Sequence, residues 1–387
     1  MAAEFTGRLN GSATEIGAVV WNGCANPAGH DDPHPFTRYE FFAALEESGS
    51  ATPRTGWRAC HLTVEREGKV QGLLPLYMKN HSQGEYVFDH AWADAFERAG
   101  GSYYPKLQAS VPFTPVTGRR FLVCAGPDEY ETRKALMAAG SSAVRELHAS
   151  SLHVTFLTHD EWQSAGEAGY LLRTDQQFHW ENRGYASFDE FLGELSSSKR
   201  KNLRKERAAV RDAGIEFDWL TGRDITEAVW DSFFEFYMDT GSRKWGSPYL
   251  TRDFFSRVGQ SMADQILLII ARRGNTPIGG ALNFFGDGTV FGRNWGCIEY
   301  VPFLHFEACY YQVIDFAIAR GLKKVEAGAQ GEHKLLRGYM PTPTYSAHFI
   351  AHAGLRRAIS DYLDREREAV SEHIEELAEH APFRKEG

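Results

Sequence analysis

From Gln265 onward, apolar and polar positions follow one another in a pattern that spells out a run of elements. QILLIIARR is an apolar, β-branched stretch, and Gly274-Asn275 supplies turn chemistry after it. PIGGALNFF and, after Gly286-Asp287-Gly288, TVFGRNWGC complete an antiparallel meander. A loop holding Pro302 leads into HFEACYYQVIDFAIARG, whose apolar residues recur at helical spacing. KKVEAGAQGEHKLLRGY then reads as a strand running into a loop that carries Glu326, Gln330, Glu332, His333, Lys334 and Arg337. So many titratable groups just past a strand end suggest a site rather than packing.

The N-terminal half has a meander of its own. CHLTVERE, a turn at Gly68-Lys69 and VQGLLPLYMKN predict a hairpin, and GEYVFDHAW is read as its continuation. "TVEREGKVQGLLPLY" and "IIARRGNTPIGGALNFF" share a polar end and a glycine turn ahead of a strand with Gly and Leu. They lie about 205 residues apart, which hints at an internal duplication. ETRKALMAAGSSAVRELHA predicts a helix, LHVTFLT a buried strand, EWQSAGEAG a short helix, and YLLRTDQQFHWENRGY a strand pair. A helical region from Ser187 to Gly214 leads into IEFDWL, and ITEAVWDSFFEFYMDTG reads as an amphipathic helix ended by Gly241. Near the end, Leu355, Ile359, Leu363, Val370, Ile374 and Leu377 share one helical face, expected to pack on the body or on a second subunit.

A chain of 387 residues exceeds the usual single domain, and the division falls near Tyr185, giving residues 1–185 and 186–387. With 43% apolar residues and 13% aromatics, two ordinary cores can form. The formal charge of −9 argues against non-specific wrapping of nucleic acid, though not against a local basic groove. Five cysteines without a C-x-x-C pair fit reduced thiols in a cytoplasmic protein, and the scattered histidines indicate no metal. The first thirty residues lack the apolar core of a signal peptide. No run approaches the roughly 18 apolar residues of a membrane span. Peripheral association with the inner face of a membrane stays open.

The order of elements resembles the acyltransferase half of the GNAT superfamily. The stretches SSSKRKNLRKERAAV, MDTGSRKWG, FGRNWGC, HFEACYYQ and EAGAQGEHKLLRGYMPTPTYSAH resemble the bacterial FemAB-like family of N-acyltransferases, and the likeness covers nearly the whole chain. It implies an α/β (α+β) fold of tandem GNAT-like domains, with mixed, mostly antiparallel sheets flanked by helices. The resemblance places the active site in the C-terminal domain. It also implies an acyl-CoA co-substrate held by Arg293, Trp295, Gly296 and Cys297. The GNAT signature R/Q-x-x-G-x-G/A is matched at Arg293 and Gly296, while Ile298 replaces its second small residue. The loop after the 324–326 strand borders the substrate cleft in such enzymes, which carries Gln330, His333 and Lys334 there.

Acyl transfer to an amine needs a base, because an ammonium ion has no lone pair, and a proton donor for the leaving group. His333 is the first choice of acceptor, with His305 and Glu307 at the helix start as rivals. A glutamate in a first helical turn also simply complements the helix dipole. Tyr310 and Tyr311 are candidate donors, and Tyr311 is taken for that part. Glu326, Glu332, Arg337 and His179 are expected to line the substrate, and Lys244 with Trp245 to meet a cofactor or headgroup. The basic stretch from Lys199 to Arg207 suits a phosphate anchor, an anionic surface or, less well, tRNA.

Three functions follow. The first is transfer of a fatty acyl group to a long-chain sphingoid-type amine, as in ceramide-forming relatives. The second is Fem-type transfer from aminoacyl-tRNA to a peptidoglycan precursor or other amine. The third is a non-catalytic binding module on the same fold.

Overall fold

A computed structural model of the chain describes residues 4–27, 32–245, 248–328 and 331–384. Two compact units form, Met1–Asp175 with Pro343–Glu372 and Gln176–Thr342 with His373–Gly387. The linear reading divides the chain once, at residue 185. The structure instead returns residues 343–372 to the first unit.

The first unit holds β1 (Thr6–Asn10), β2 (Trp57–Ala59), β3 (His61–Arg66), β4 (Lys69–Leu74), β5 (Tyr77–Lys79), β6 (Lys106–Ala109), β7 (Leu122–Val123) and β8 (Ser151–Leu157). Its strands order as β1-β3-β4-β7 and as β2-β5-β6-β8, all antiparallel but for the parallel pair β6–β8. The second unit holds most of β9 (Leu171–Glu181), then β10 (Ile215–Leu220), β11 (Ile266–Arg273), β12 (Thr276–Gly286), β13 (Thr289–Cys297) and β14 (Lys324–Glu326), in the order β10-β11-β12-β13-β14-β9. Only β13–β14 is parallel. The final strand, β15 (Met340–Ile350), pairs with β8 through Tyr345–Ile350. Each unit is thus GNAT-like: a meander plus one parallel pair, flanked by helices.

The hairpins β3–β4 and β11–β12 carry the same irregularity. Register shifts leave Gln71 extra just before Gly72 in one and Ile278 extra just before Gly279 in the other. A bulge at the same step of both hairpins supports the duplication that their wording suggests.

Most expected elements appear, with informative exceptions. The helix Glu227–Trp245 runs past Gly241. Leu171–Glu181 is one strand rather than a pair. GEYVFDHAW forms no strand: it is irregular up to Asp89, where the helix His90–Arg98 begins. The cause is electrostatic. Glu85 and Asp89 turn inward onto the buried Lys106, whose ammonium donates to both carboxylates and to Ser82 Oγ at 2.7 Å. Asp89 also accepts from the Tyr103 hydroxyl at 2.7 Å. Cys24 and Cys124 form a disulfide, correcting the expectation of five reduced thiols; a pairing 100 residues apart leaves no local trace. The C-terminal helix Ala353–Glu379 buries Leu355, Ile359 and Leu363 beside Trp92, Tyr103 and Ile350.

The second unit's core packs the helical run 304–319 onto the sheet. Val313, Ile314, Phe316 and Ala317 meet Leu267, Ile269, Ala281, Val290 and Val325. Each buried aliphatic or aromatic side chain contributes about 1.5–3 kcal/mol, so this face fixes where the helix start sits relative to the strand ends.

Candidate active site

β13 and β14 stay together for three residue pairs only, Thr289–Lys324, Val290–Val325 and Phe291–Glu326. Beyond them the strands part. On the other edge of β13, Leu282 and Asn283 face Asn294 and Gly292, which makes Arg293 a bulge residue. Bulges raise local twist and re-aim side chains. A cavity of about 100 Å3 opens at this point, lined among others by Asn283, Arg293, Trp295, His305, Cys309 and Tyr310. The helix over it starts after Phe303, which holds a left-handed φ of 67°, and turns as a π-helix through Glu307–Tyr311. The extra residue per turn rotates successive side chains away from their α-helical positions.

The Tyr310 hydroxyl meets His333 Nε2 at 2.9 Å. The His305 ring lies 5.7 Å from Trp295, 5.4 Å from Tyr310 and 6.5 Å from His333, centroid to centroid. Burial, then the charges of Arg337 and Lys334, hold the His333 imidazole below its ordinary value. It is therefore neutral and able to accept a proton near pH 7. Burial pushes the Tyr310 phenol up, so it stays protonated and can donate. Lys334 is buried with its ammonium on the Gly328 carbonyl at 2.8 Å, and burial lowers it to about 8. Two proton-carrying groups and a titratable amine thus gather where the sheet splits. Acyl transfer to an amine needs a proton acceptor and a proton donor, which His333 and Tyr310 can supply.

Other expected residues sit elsewhere. Glu307 is buried away from His333: its Oε1 accepts from Arg207 at 2.9 Å and from Gln312 at 2.8 Å. It is an ion-paired carboxylate on another side of the helix, not the base. The Tyr311 hydroxyl is locked to Glu206 and to Arg337 Nε at 3.1 Å, so it frees no proton for a leaving group. Arg337 bonds Glu206 at 2.9 Å and lies 3.5 Å over the Phe306 ring, which makes it a buried strut rather than a substrate anchor. Gly296 answers a packing need, because a Cβ there would fall 2.1 Å from the Phe236 carbonyl oxygen. The Cys297 N–H donates to Thr240 Oγ1 at 3.1 Å and is not available to a donor's carbonyl.

Glu326 and His179 are cross-strand neighbours, both buried, with Nε2 and Oε2 4.0 Å apart and Lys324 2.6 Å from the carboxylate. They close the inner end of the split. Lys244 and Trp245 end the helix Glu227–Trp245, and their side chains, like that of Glu332, lie outside the described residues, as does all of Gln330. Among the described residues, no group of three or more His, Cys, Asp or Glu could hold a metal ion. No described helix is long and apolar enough to cross a membrane.

A sequence profile described as peptidoglycan biosynthesis/recognition, that of the FemAB-like family, matches residues 12–385. The chain belongs to this family. Among solved structures, FemX superposes with a TM-score of 0.54 at 13% identity, over 92% of this chain and 100% of its own. The C-terminal domain (DUF2156) of a putative lysylphosphatidylglycerol synthetase from Agrobacterium fabrum gives 0.51 at 9%, over 89% and 96%. L-PGS from Bacillus licheniformis gives 0.51 at 9%, over 87% and 98%. At such identities the likeness concerns the fold. No curated protein matches the sequence. Family and fold together make this FemAB-like chain an acyltransferase.

In this FemAB-like site, sequence reasoning offered both Tyr310 and Tyr311 and took Tyr311, whereas it is Tyr310 that lines the cavity and meets His333. Adjacent helix positions point about 100° apart, and the π-turn adds a further rotation, so YY gives no hint of which ring faces the cleft. Cys309, which with Cys297 left a covalent acyl-enzyme open in the sequence, lines the cavity beside Tyr310.

Proposed function

We propose that the protein transfers an acyl group from an acyl-CoA thioester to a primary amine in a ternary complex. The observation that carries this reading is the parting of β13 and β14 after Phe291 and Glu326, with a cavity beneath the helix start. An extended thioester arm fits such a split by adding its own amides to strand edges left unpaired. The amine's lone pair attacks the carbonyl carbon, and the carbon–sulfur bond breaks. His333 takes the proton that turns the ammonium group into an amine and passes it to solvent. As the tetrahedral intermediate collapses, Tyr310 gives its proton to the departing thiolate. The second proton lost by the nitrogen returns through His333 to restore the phenol. No acyl-enzyme is required.

A fatty acyl donor and a long-chain, sphingoid-type amine are the preferred pair. Apolar Trp295 in the cavity lining and Phe306, stacked on Tyr310, suit an aliphatic partner. The family's description and the FemX fold favour a second reading, transfer from aminoacyl-tRNA to a peptidoglycan precursor. Purified protein offered acyl-CoA and aminoacyl-tRNA side by side, each with amine acceptors, separates the two. Thiol release that depends on the amine supports the first, and transfer from the tRNA alone supports the second.

A further inference from the structure

Acyl-CoA offers a protein two ends to hold, the pantetheine thioester and the nucleotide with its diphosphate. A diphosphate is bound by backbone N–H groups that have no other acceptor, as at a glycine-rich turn or a helix start. The stretch that matches the GNAT signature, Arg293 to Ile298, takes another form in this chain. Asn294, Trp295, Gly296 and Cys297 are strand, in register with Leu282, Ala281, Gly280 and Gly279 of β12.

The N–H groups beyond that strand are already engaged. That of Cys297 donates to Thr240 Oγ1 at 3.1 Å, and that of Ile298 to the Ile278 carbonyl at 3.0 Å. Pro302 has none. The N–H of Leu304, the first helical residue, turns back to the Val301 carbonyl at 3.2 Å. Gly296 serves the close approach of the helix Glu227–Trp245 and not a ligand, since a Cβ there would fall 2.1 Å from the Phe236 carbonyl oxygen. A diphosphate would have to break such bonds before making its own, so little net stabilisation remains for it.

The side chains of the loop agree. Ile298, Tyr300 and Phe303 are 48%, 88% and 38% exposed and give it an apolar rim. Its one charged residue, Glu299, is an anion and pairs with Arg273 at 2.6 Å.

The other end of the donor is provided for. Gly292 and Gly328 leave the parted strands bare. A Cβ on Gly292 would sit 3.4 Å from the Glu326 carbonyl oxygen and 3.6 Å from Ala327 Cα, and one on Gly328 would sit 4.0 Å from the Gly292 carbonyl oxygen. Backbone therefore faces backbone across the split, which suits an arm that carries amides of its own. The cavity there, of about 100 Å3, has the size for a thioester and its nearest atoms, whereas pockets for whole ligands run to about 300–1,000 Å3.

We propose that the protein reads its donor by the pantetheine thioester alone, the nucleotide of acyl-CoA adding nothing to binding or catalysis. The inference rests on the acyl-CoA reading above and widens its donor class to S-acyl pantetheines.

Steady-state kinetics of the full chain with acyl-CoA or the matching S-acyl pantetheine, each with one saturating primary amine, tests it through enzyme-dependent thiol release. S-acyl pantetheine is expected to reach a kcat/KM within about tenfold of that of acyl-CoA. The detached nucleotide diphosphate of coenzyme A is expected not to inhibit at about tenfold excess over the donor. A larger deficit for S-acyl pantetheine, or inhibition by the nucleotide alone, would overturn the inference and leave the acyl-CoA reading standing. If neither thioester releases thiol with the amine, the acyl-CoA reading falls and this inference falls with it.

Discussion

In the proposed reaction Tyr310 and His333, 2.9 Å apart, act as one device, since each makes the other's proton useful. Tyr310→Phe keeps the ring that packs against Phe306 and Tyr339 and removes only the hydroxyl. It is expected to lower kcat by about 10²–10⁴-fold, and His333→Ala by a similar factor. The double variant is expected to be scarcely worse than either single one, as groups in one relay are non-additive. Steady-state kinetics of the three proteins checks this. The pH profile carries a second expectation. His333 is held below the usual imidazole value of 6.5, so its basic form is already present at that pH. The acid limb of kcat/KM is therefore expected to fall below pH 6.5, and to disappear in His333→Gln. At this scale the sequence disclosed a cluster of titratable residues but not which of them contact one another. Histidine and lysine beyond a strand end announce themselves, and His333 and Lys334 bond Tyr310 and the Gly328 carbonyl, both of which line the cavity. Glu307 and Tyr311 look equally chemical in a one-dimensional string, yet Arg207 and Glu206, about a hundred residues earlier, claim them.

Among elements, the decisive one is the contact of the helix Glu227–Trp245 with β13. Gly296 permits it, and a methyl group there would meet the Phe236 and Tyr237 backbones at 2.1 and 2.7 Å. Gly296→Ala is expected to destabilise the chain by roughly 1–3 kcal/mol or more through overpacking, seen as a lower urea midpoint. Periodicity disclosed the strands of both meanders because a half-buried strand must alternate and a buried one must be apolar. It failed at residues 84–89, where apolar Tyr86, Val87 and Phe88 suggest a strand but Glu85 and Asp89 are drawn onto Lys106. The same limit applies to the break between β13 and β14, since nothing local in Phe291-Gly292-Arg293 marks where pairing ends.

At the scale of the molecule, each unit has its own polar and apolar anchor. In the first, Lys106 is the cation shared by Glu85 and Asp89, all three buried. Lys106→Met removes one member of a buried ionic network and is expected to cost about 3–5 kcal/mol, measured as a fall in unfolding midpoint with an unchanged slope. The return of residues 343–372 to the first unit was not legible, because the pairing of β15 with β8 joins positions almost two hundred residues apart. The duplication was legible, since both hairpins repeat a glycine turn and a glycine-bearing strand.

The central claim is that the split between β13 and β14 receives an acyl-CoA thioester. Its most direct test is free-thiol release by the purified protein given acyl-CoA of graded chain length with primary amines, long-chain sphingoid amines among them. The account predicts thiol release that requires both the donor and the amine, matches the amide formed one for one, and is lost in Tyr310→Phe. Transfer from aminoacyl-tRNA with every acyl-CoA inert would contradict it.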